Sequence, residues 1–189
     1  SHQLKDAVIF RNRNKIQERH VLKSISFFVK KGEAVALIGK NGCGKSSLIK
    51  LILGEDIPHT GEVYIAGGLK ISYISQDTSR LKGDLAAFAE RRGLDDALFR
   101  TVLKKLGLER VQFEKRIEDY SEGQKKKVLL ASSLCEPAHL FLWDEPLNFI
   151  DIFSRIQLEE LLLSARPTML FVEHDRAFRE KTATRIVEI

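Results

Sequence analysis

One glycine-rich stretch constrains this chain of 189 residues more than any other feature of its sequence. Residues 34–38 form a short apolar run that predicts a fully buried strand, and residues 39–47 then follow the pattern G-x-x-x-x-G-K-[ST]. Glycines let such a loop turn its N–H groups inward toward phosphate oxygens, and the helix that follows adds the positive end of its dipole. The sequence therefore predicts an α/β fold built around a phosphate-binding loop.

The residues of this loop have distinct expected roles in binding a nucleotide. Lys45 is able to reach the terminal phosphates, and the hydroxyl of Ser46 is able to bind Mg²⁺. Cys43 is interpreted as a small filler of the loop rather than as a catalytic thiol. The predicted nucleotide-binding residues are Gly39, Asn41, Gly42, Cys43, Gly44, Lys45, Ser46 and Ser47.

Apolar runs that alternate with helical patterns extend the α/β prediction along the chain and imply a mainly parallel sheet covered on both faces. Helical spacing between about residues 84 and 135 predicts a small helical lobe inserted in this core. The strands at 61–65 and 70–75 are predicted to form a hairpin around Gly67. Further strands are expected at 21–29, 34–38, 140–143, 169–172 and 185–189, and helices at 46–53, 123–134 and 155–163.

Composition excludes several other classes of protein. Hydrophobic residues are 43% and charged residues 30%, which excludes a disordered or fibrous chain. No apolar run approaches the roughly 18 residues that span a bilayer, and the two cysteines do not make a disulfide framework. A cytoplasmic location is therefore expected. The net charge of +5 is compatible with a nucleic-acid partner without arguing for one. The run 125–127 (KKK) is interpreted as a solvated face, as most such runs are, with an RNA contact as the alternative.

Two acidic residues directly follow the apolar run at 140–143. Asp144 is expected at the carboxyl end of the sheet, beside the phosphate loop, where it is able to hold Mg²⁺. Glu145 is placed to orient or deprotonate an attacking water. Before this strand, Ser121 is a suitable N-cap for the helix that follows, and Gly123 leaves the backbone open to an anion, although an ordinary helix start would look the same.

Taken in order, these elements resemble the ATP-binding-cassette (ABC) ATPases over nearly the whole chain. Residues 39–47 match Walker A, and residues 140–144 match Walker B. Residues 120–124 (YSEGQ) match the signature usually written LSGGQ, with Tyr for Leu and Glu for the first Gly. Gln76 matches the Q-loop, Asp151 falls in the D-loop, and His174 matches the switch histidine. The resemblance implies a P-loop NTPase fold of the ABC type, with antiparallel strands at its N-terminal side.

The resemblance also implies the chemistry. ATP and Mg²⁺ would be the cofactors, with Glu145, His174 and Gln76 as catalytic residues. Ser46, Gln76 and Asp144 would be the metal-binding residues. The signature residues, Ser121, Glu122, Gly123 and Gln124, would complete the ATP site of a partner cassette, so an isolated cassette is expected to hydrolyse ATP to ADP and phosphate slowly. The family's adenine-stacking aromatic has a candidate in Phe10, for which an ordinary core role is equally good.

One segment indicates which kind of cassette this is. Residues 144–151 (DEPLNFID) resemble the DEPTNHLD form of the ABC-F subfamily, in which Asn148 replaces the usual serine of transporters. Together with YSEGQKKK, the segment resembles the second cassette of ABC-F proteins that protect the ribosome of Gram-positive bacteria against antibiotics. The implied partners are a second cassette and the ribosome. The alternatives are the nucleotide-binding subunit of a membrane transporter and a regulator that uses ATP only as a clamp.

The organisation expected for the chain is a single ATP-binding domain over residues 1–189. It begins with Ser1 rather than Met, and its final residues, 185–189, form a predicted strand. We therefore expect one excised domain of a longer protein that contains two cassettes.

Overall fold

The computed structural model describes the backbone of residues 8–11 and residues 25–189 in full. Eight strands and six helices lie in these two ranges, joined in one place by two short 3₁₀ segments at Arg110–Glu114 and Ile117–Asp119. The strands are β1 (Val8–Arg11), β2 (Phe28–Val29), β3 (Ala34–Ile38), β4 (Glu62–Tyr64), β5 (Ile71–Ile74), β6 (Leu140–Asp144), β7 (Met169–Val172) and β8 (Arg185–Glu188). The helices are α1 (Lys45–Ile52), α2 (Leu85–Arg91), α3 (Asp96–Lys105), α4 (Glu122–Cys135), α5 (Ile152–Ala165) and α6 (Arg176–Thr182).

Five parallel strands form the central sheet, in the order β5-β6-β7-β3-β8. The register places Asp144 opposite Val172, and Val172 opposite Leu37. Because parallel strands point the same way, their carboxyl ends lie at one edge of the sheet, which is where α/β proteins bind ligands. The predicted α/β fold with a mainly parallel sheet is confirmed.

The central sheet is buried on both faces, so its strands are almost continuously apolar. On β3, Val35 and Leu37 pack with α1 in one core, whereas Ala34 and Ala36 pack in a second core with residues of α4 and α5. Trp143 is fully buried in the second core. The alternation of side chains along each strand thus fills two cores from one short sequence.

The predicted hairpin around Gly67 is wrong. A second, antiparallel sheet has the order β2-β1-β4, whereas β5 pairs with β6 in the central sheet. The strands differ in their burial: β5 buries side chains in both cores, which suits a parallel sheet, and β4 exposes Glu62 and Tyr64. The antiparallel strands at the N-terminal side agree with the predicted fold class. Of the strand predicted at 21–29, residues 21–24 lie outside the described residues, and β2 covers only Phe28–Val29.

Three capped helices, α2, α3 and α4, occupy the region predicted as a helical lobe. The carboxylates of Asp84 and Asp95 accept hydrogen bonds from the third residue of α2 and α3, and Ser121 does the same for α4. Gln124 returns a bond to the backbone of Ser121 and completes a capping box. The sequence reading did not include α6, a short helix that Asp175 caps.

Candidate active site

The lysine of the glycine-rich loop is turned into the loop. Lys45 is the first residue of α1 and is only 7% exposed. Its Nζ donates to the carbonyl oxygens of Gly39 at 2.9 Å and Lys40 at 3.0 Å, and it lies 3.7 Å from the Sγ of Cys43. Gly44 has φ 101°, a left-handed conformation that suits glycine. The loop thus encloses an ammonium group, as a site for triphosphate requires.

Ser46 and Asp144 meet across the end of the sheet. The hydroxyl of Ser46 donates to Oδ2 of Asp144 at 3.2 Å. Asp144 is 4% exposed, and its Oδ1 is buried with no hydrogen-bond partner. A buried carboxylate oxygen without a partner is costly, so the site fits a cation or a cation-bound water at this oxygen. Between residues 25 and 189 no group of three or more His, Cys, Asp or Glu side chains is arranged to hold a metal ion by itself.

Glu145 follows Asp144 at the same edge, in a left-handed conformation with φ 49°. Its N–H donates to the carbonyl of Val172 at 2.9 Å and so extends the β6–β7 pairing. Oε1 lies 3.4 Å from Nε2 of His174, and Oε2 accepts a hydrogen bond of 2.6 Å from Nδ2 of Asn148. Two side chains therefore orient the carboxylate predicted to activate water, and His174, half exposed beyond β7, is one of them.

Gln76 and Asp151 lie on different elements, one after β5 and the other at the start of α5. Gln76 is exposed and lies two residues after Ile74, which is paired with Trp143, the residue before Asp144. Asp151 caps α5 and forms a salt bridge of 2.8 Å with Lys127. Partial burial raises the pKa of Asp151. The hydrogen bonds from Lys127 and Ser154 outweigh that effect and hold the pKa below its ordinary value.

The predicted signature residues lie at the start of α4, which packs in a different core from α1, the helix that begins with Lys45. Ser121 and Gln124 are engaged in capping α4, and Glu122 contacts Thr78 and Lys125. A Cβ added at Gly123 would lie 2.5 Å from the carbonyl oxygen of Phe149. The signature turn is thus packed against the segment that follows Walker B in its own chain.

Replacing Gly123 with alanine should therefore destabilise the fold. The added methyl group meets a backbone carbonyl that has to move, so we expect the free energy of unfolding to fall by about 1–3 kcal/mol. Urea denaturation followed by the fluorescence of Trp143, the single tryptophan, measures the change. Gly67→Ala is the matched control, because a Cβ at Gly67 has no atom within 4 Å. Equal stability of the two variants would contradict the packing described here.

Sequence reasoning missed the buried carboxylate of Glu173. One oxygen accepts from the N–H groups of His174 at 2.7 Å and Asp175 at 3.1 Å, and the other accepts from the N–H of Leu147 at 3.1 Å. Glu173 therefore fixes both the turn after β6 and the turn after β7. The available signal was an acidic residue between the buried run 169–172 and His174, in a place where a charge needs partners.

The interpretation of residues 125–127 as a solvated face is wrong for two of the three lysines. Lys126 is 1% exposed and Lys127 is 8% exposed. The Nζ of Lys126 donates to the carbonyl of Ser75 at 3.1 Å. Burial lowers its pKa from the ordinary 10.5 to about 8, and the carboxylates of Asp144, Glu145 and Glu173 oppose that shift. One side of a helix faces the core, so lysines that are adjacent in the sequence differ in their burial.

The burial of Lys126 predicts a specific dependence of stability on pH. Below about pH 8 the folded protein carries a buried ammonium. Between about pH 8 and 10.5 the folded state has released that proton while the unfolded state still holds it, so stability rises with pH. The free energy of unfolding of wild type, relative to that of Lys126→Met, should therefore increase across this range. Lys105→Met, at an exposed position on α3, is the control, and parallel curves for wild type and Lys126→Met would contradict the assignment.

None of the helices that the structure describes has the length and apolarity needed to cross a membrane. The side chain of Phe10, the candidate for adenine stacking, lies outside the described residues.

Comparisons with known proteins agree on one family. The family model described as ABC transporter matches residues 22–148. Similar curated proteins include an ATP-binding protein Uup of Buchnera aphidicola, 33% identical over 95% of this chain and 31% of the relative's own length. The ribosome protection protein VmlR of Bacillus subtilis is 33% identical over 87% of this chain and 30% of its own. An Uup-like ATP-binding protein of Haemophilus influenzae is 35% identical over 89% of this chain and 39% of its own length. The chain thus spans about a third of the length of these relatives.

Proposed function

This chain belongs to the ABC transporter family of ATP-binding domains, as a cassette of the ABC-F type, and on that premise we propose that it is an ATP-hydrolysing cassette of a protein that acts on the ribosome. Members of the family bind ATP, typically with Mg²⁺, and work as dimers or tandem pairs of cassettes. The proposal places the whole protein in the cytoplasm, with a second cassette and the ribosome as partners and resistance to ribosome-targeting antibiotics as the outcome. One relative is named as a ribosome protection protein.

The observation that carries the proposal is the contact between the phosphate loop and Walker B. Because Ser46 donates to Asp144 at 3.2 Å, a nucleotide held by Lys45 would lie beside the buried carboxylate. Ser46 and Asp144, with Gln76, would hold Mg²⁺, which when bound neutralises charge on the β- and γ-phosphates. Glu145 would accept a proton from the attacking water, and His174 and Asn148 would hold its carboxylate in place.

Asn148 favours the hypothesis of an ABC-F cassette over that of a transporter subunit. Its amide donates to the carboxylate of Glu145 at 2.6 Å, so the residue that distinguishes the two groups acts on the proposed base itself. Serine has a shorter side chain and a hydroxyl in place of the amide. This contact gives the ABC-F form of the segment a physical role in the site.

Co-sedimentation with ribosomes tests the proposal. The full-length protein that contains this chain is prepared as wild type and as Glu145→Gln, and each is centrifuged with ribosomes in the presence of Mg-ATP or Mg-ADP. We expect the variant to pellet with ribosomes in Mg-ATP, because it binds the nucleotide without consuming it, and to stay in the supernatant in Mg-ADP. Recovery with membranes instead of ribosomes would favour the transporter alternative and overturn the ribosomal assignment.

A further inference from the structure

Glu122 stands where the ABC signature normally has glycine, and its carboxylate contacts its own cassette. Oε2 accepts a hydrogen bond of 2.5 Å from the hydroxyl of Thr78, and Oε1 lies 3.2 Å from the Nζ of Lys125. Thr78 is 6% exposed, so its hydroxyl has little access to water as an alternative partner. The Thr78 and Lys125 contacts hold the pKa of Glu122 below its ordinary value, which indicates that the charged form is the bound form.

A second side chain joins the same two parts of the chain. The Nζ of Lys126, on α4, donates to the carbonyl of Ser75 at 3.1 Å, where burial protects the bond from competing water. Ser75 and Thr78 flank Gln76, whereas Glu122 and Lys126 lie on the first turns of α4. The segment 75–78 is therefore attached to the start of α4 at two points, one on each side of Gln76.

These contacts connect two half-sites that act on different nucleotides. Under the proposed function, Gln76 acts on the ATP bound by Lys45 of the same cassette, and the residues at the start of α4 act on the ATP of the partner cassette. We propose that Glu122 is a positioning residue, which ties the signature turn to the Gln76 segment of its own cassette through Thr78 and does not act as a ligand of the partner's phosphate. A displacement of Gln76 on nucleotide binding would then move the signature turn with it.

The proposal rests on the proposed function for its catalytic consequence but not for the attachment itself. A carboxylate facing the partner's γ-phosphate would repel it, and removing that carboxylate would tighten ATP binding. A carboxylate that fastens the turn predicts no such tightening, because its removal leaves the hydroxyl of Thr78 buried without a partner and lowers turnover instead. The two roles therefore differ in whether ATP binding tightens and in whether Thr78 shares the effect.

Hydrogen exchange on the nucleotide-free chain tests the attachment. Thr78→Val removes the hydroxyl with little change of shape, and Glu122→Ala removes the carboxylate. For each variant we expect amide exchange to accelerate roughly tenfold in both segments, 75–79 and 121–125, as expected for loss of one hydrogen bond to a charged group. The double variant should be no faster than either single one. Thr78→Ser should restore wild-type exchange, and Thr101→Val, whose hydroxyl bonds only to its own helix at Ala97, is the matched control.

Turnover of the full-length protein tests the consequence. Thr78→Val and Glu122→Ala should each lower kcat for ATP hydrolysis roughly tenfold with little change in KM, and Thr78→Ser should recover it. Tighter ATP binding by Glu122→Ala with an unaffected Thr78→Val would overturn the proposal. So would faster exchange in Thr78→Val confined to residues 75–79. If the wild-type protein hydrolyses no ATP, the proposed function fails, whereas the exchange result still decides the attachment.

Discussion

Replacing Lys45 with alanine should weaken the binding of Mg-ATP by roughly a hundredfold. The ammonium is the one cation held inside the glycine-rich loop among the described residues, where it donates to the carbonyls of Gly39 and Lys40. A triphosphate that enters the loop replaces those weak neutral acceptors with charged oxygens, and alanine offers no charge to receive them. Isothermal titration calorimetry of the purified chain with Mg-ATP measures the loss.

Lys40→Ala provides the control for that measurement. Lys40 belongs to the same loop but exposes its side chain, so its removal changes the net charge equally without emptying the loop. We expect its affinity for Mg-ATP to stay within about threefold of wild type, because exposed charges are screened. Thermal unfolding of both variants verifies that the fold survives. Comparable affinity of Lys45→Ala and wild type would contradict the phosphate-binding role of the loop.

Glu145→Gln should slow ATP turnover by orders of magnitude while it preserves nucleotide binding. Glutamine keeps the size of the side chain and its hydrogen-bonding capacity toward Asn148, but it cannot accept a proton from water. Loss of a general base reduces the rate by about 10²- to 10⁴-fold. Release of phosphate measures hydrolysis, and size-exclusion chromatography in Mg-ATP measures the dimer, which should accumulate because its nucleotide is no longer consumed.

The comparison for this variant is Glu160→Gln, at an exposed position on α5. It removes the same charge at a site without nucleotide contacts, so turnover and oligomeric state should match those of wild type. Full turnover by Glu145→Gln would refute the assignment of Glu145 as the base.

Buried strands and the phosphate loop are the features that the sequence predicts best. The apolar run 34–38 is β3 to the residue, and the predicted strand at 140–143 extends only to Asp144. Both strands are buried on two faces, so a continuous apolar run in the sequence is enough to identify them. The residues of the candidate site that directly follow these strands are predictable for the same reason, because the sheet fixes where each strand ends.

The pairing of strands and the burial of charges could not be read locally. Nothing within residues 61–75 distinguishes a hairpin from two strands in different sheets, since the partners of β4 and β5 lie elsewhere in the chain. Likewise, a run of three lysines in the sequence does not show that Lys126 is buried within electrostatic reach of three carboxylates, or that Thr78 donates a hydrogen bond to Glu122. Such contacts depend on long-range packing, which periodicity along one segment does not contain.

The three hydrogen bonds accepted by Glu173 bear on which side chains residues 147–150 are able to carry. Glu173 grips the turn after β6 through the amide of Leu147, and Ile150 in turn donates its own amide to the carbonyl of Leu147. Every residue except proline has a backbone N–H group, so these hydrogen bonds do not depend on which side chains the segment carries. Other side chains at these positions therefore leave the backbone hydrogen bonds available, and the departures at Leu147, Phe149 and Ile150 from the DEPTNHLD form are compatible with this backbone path.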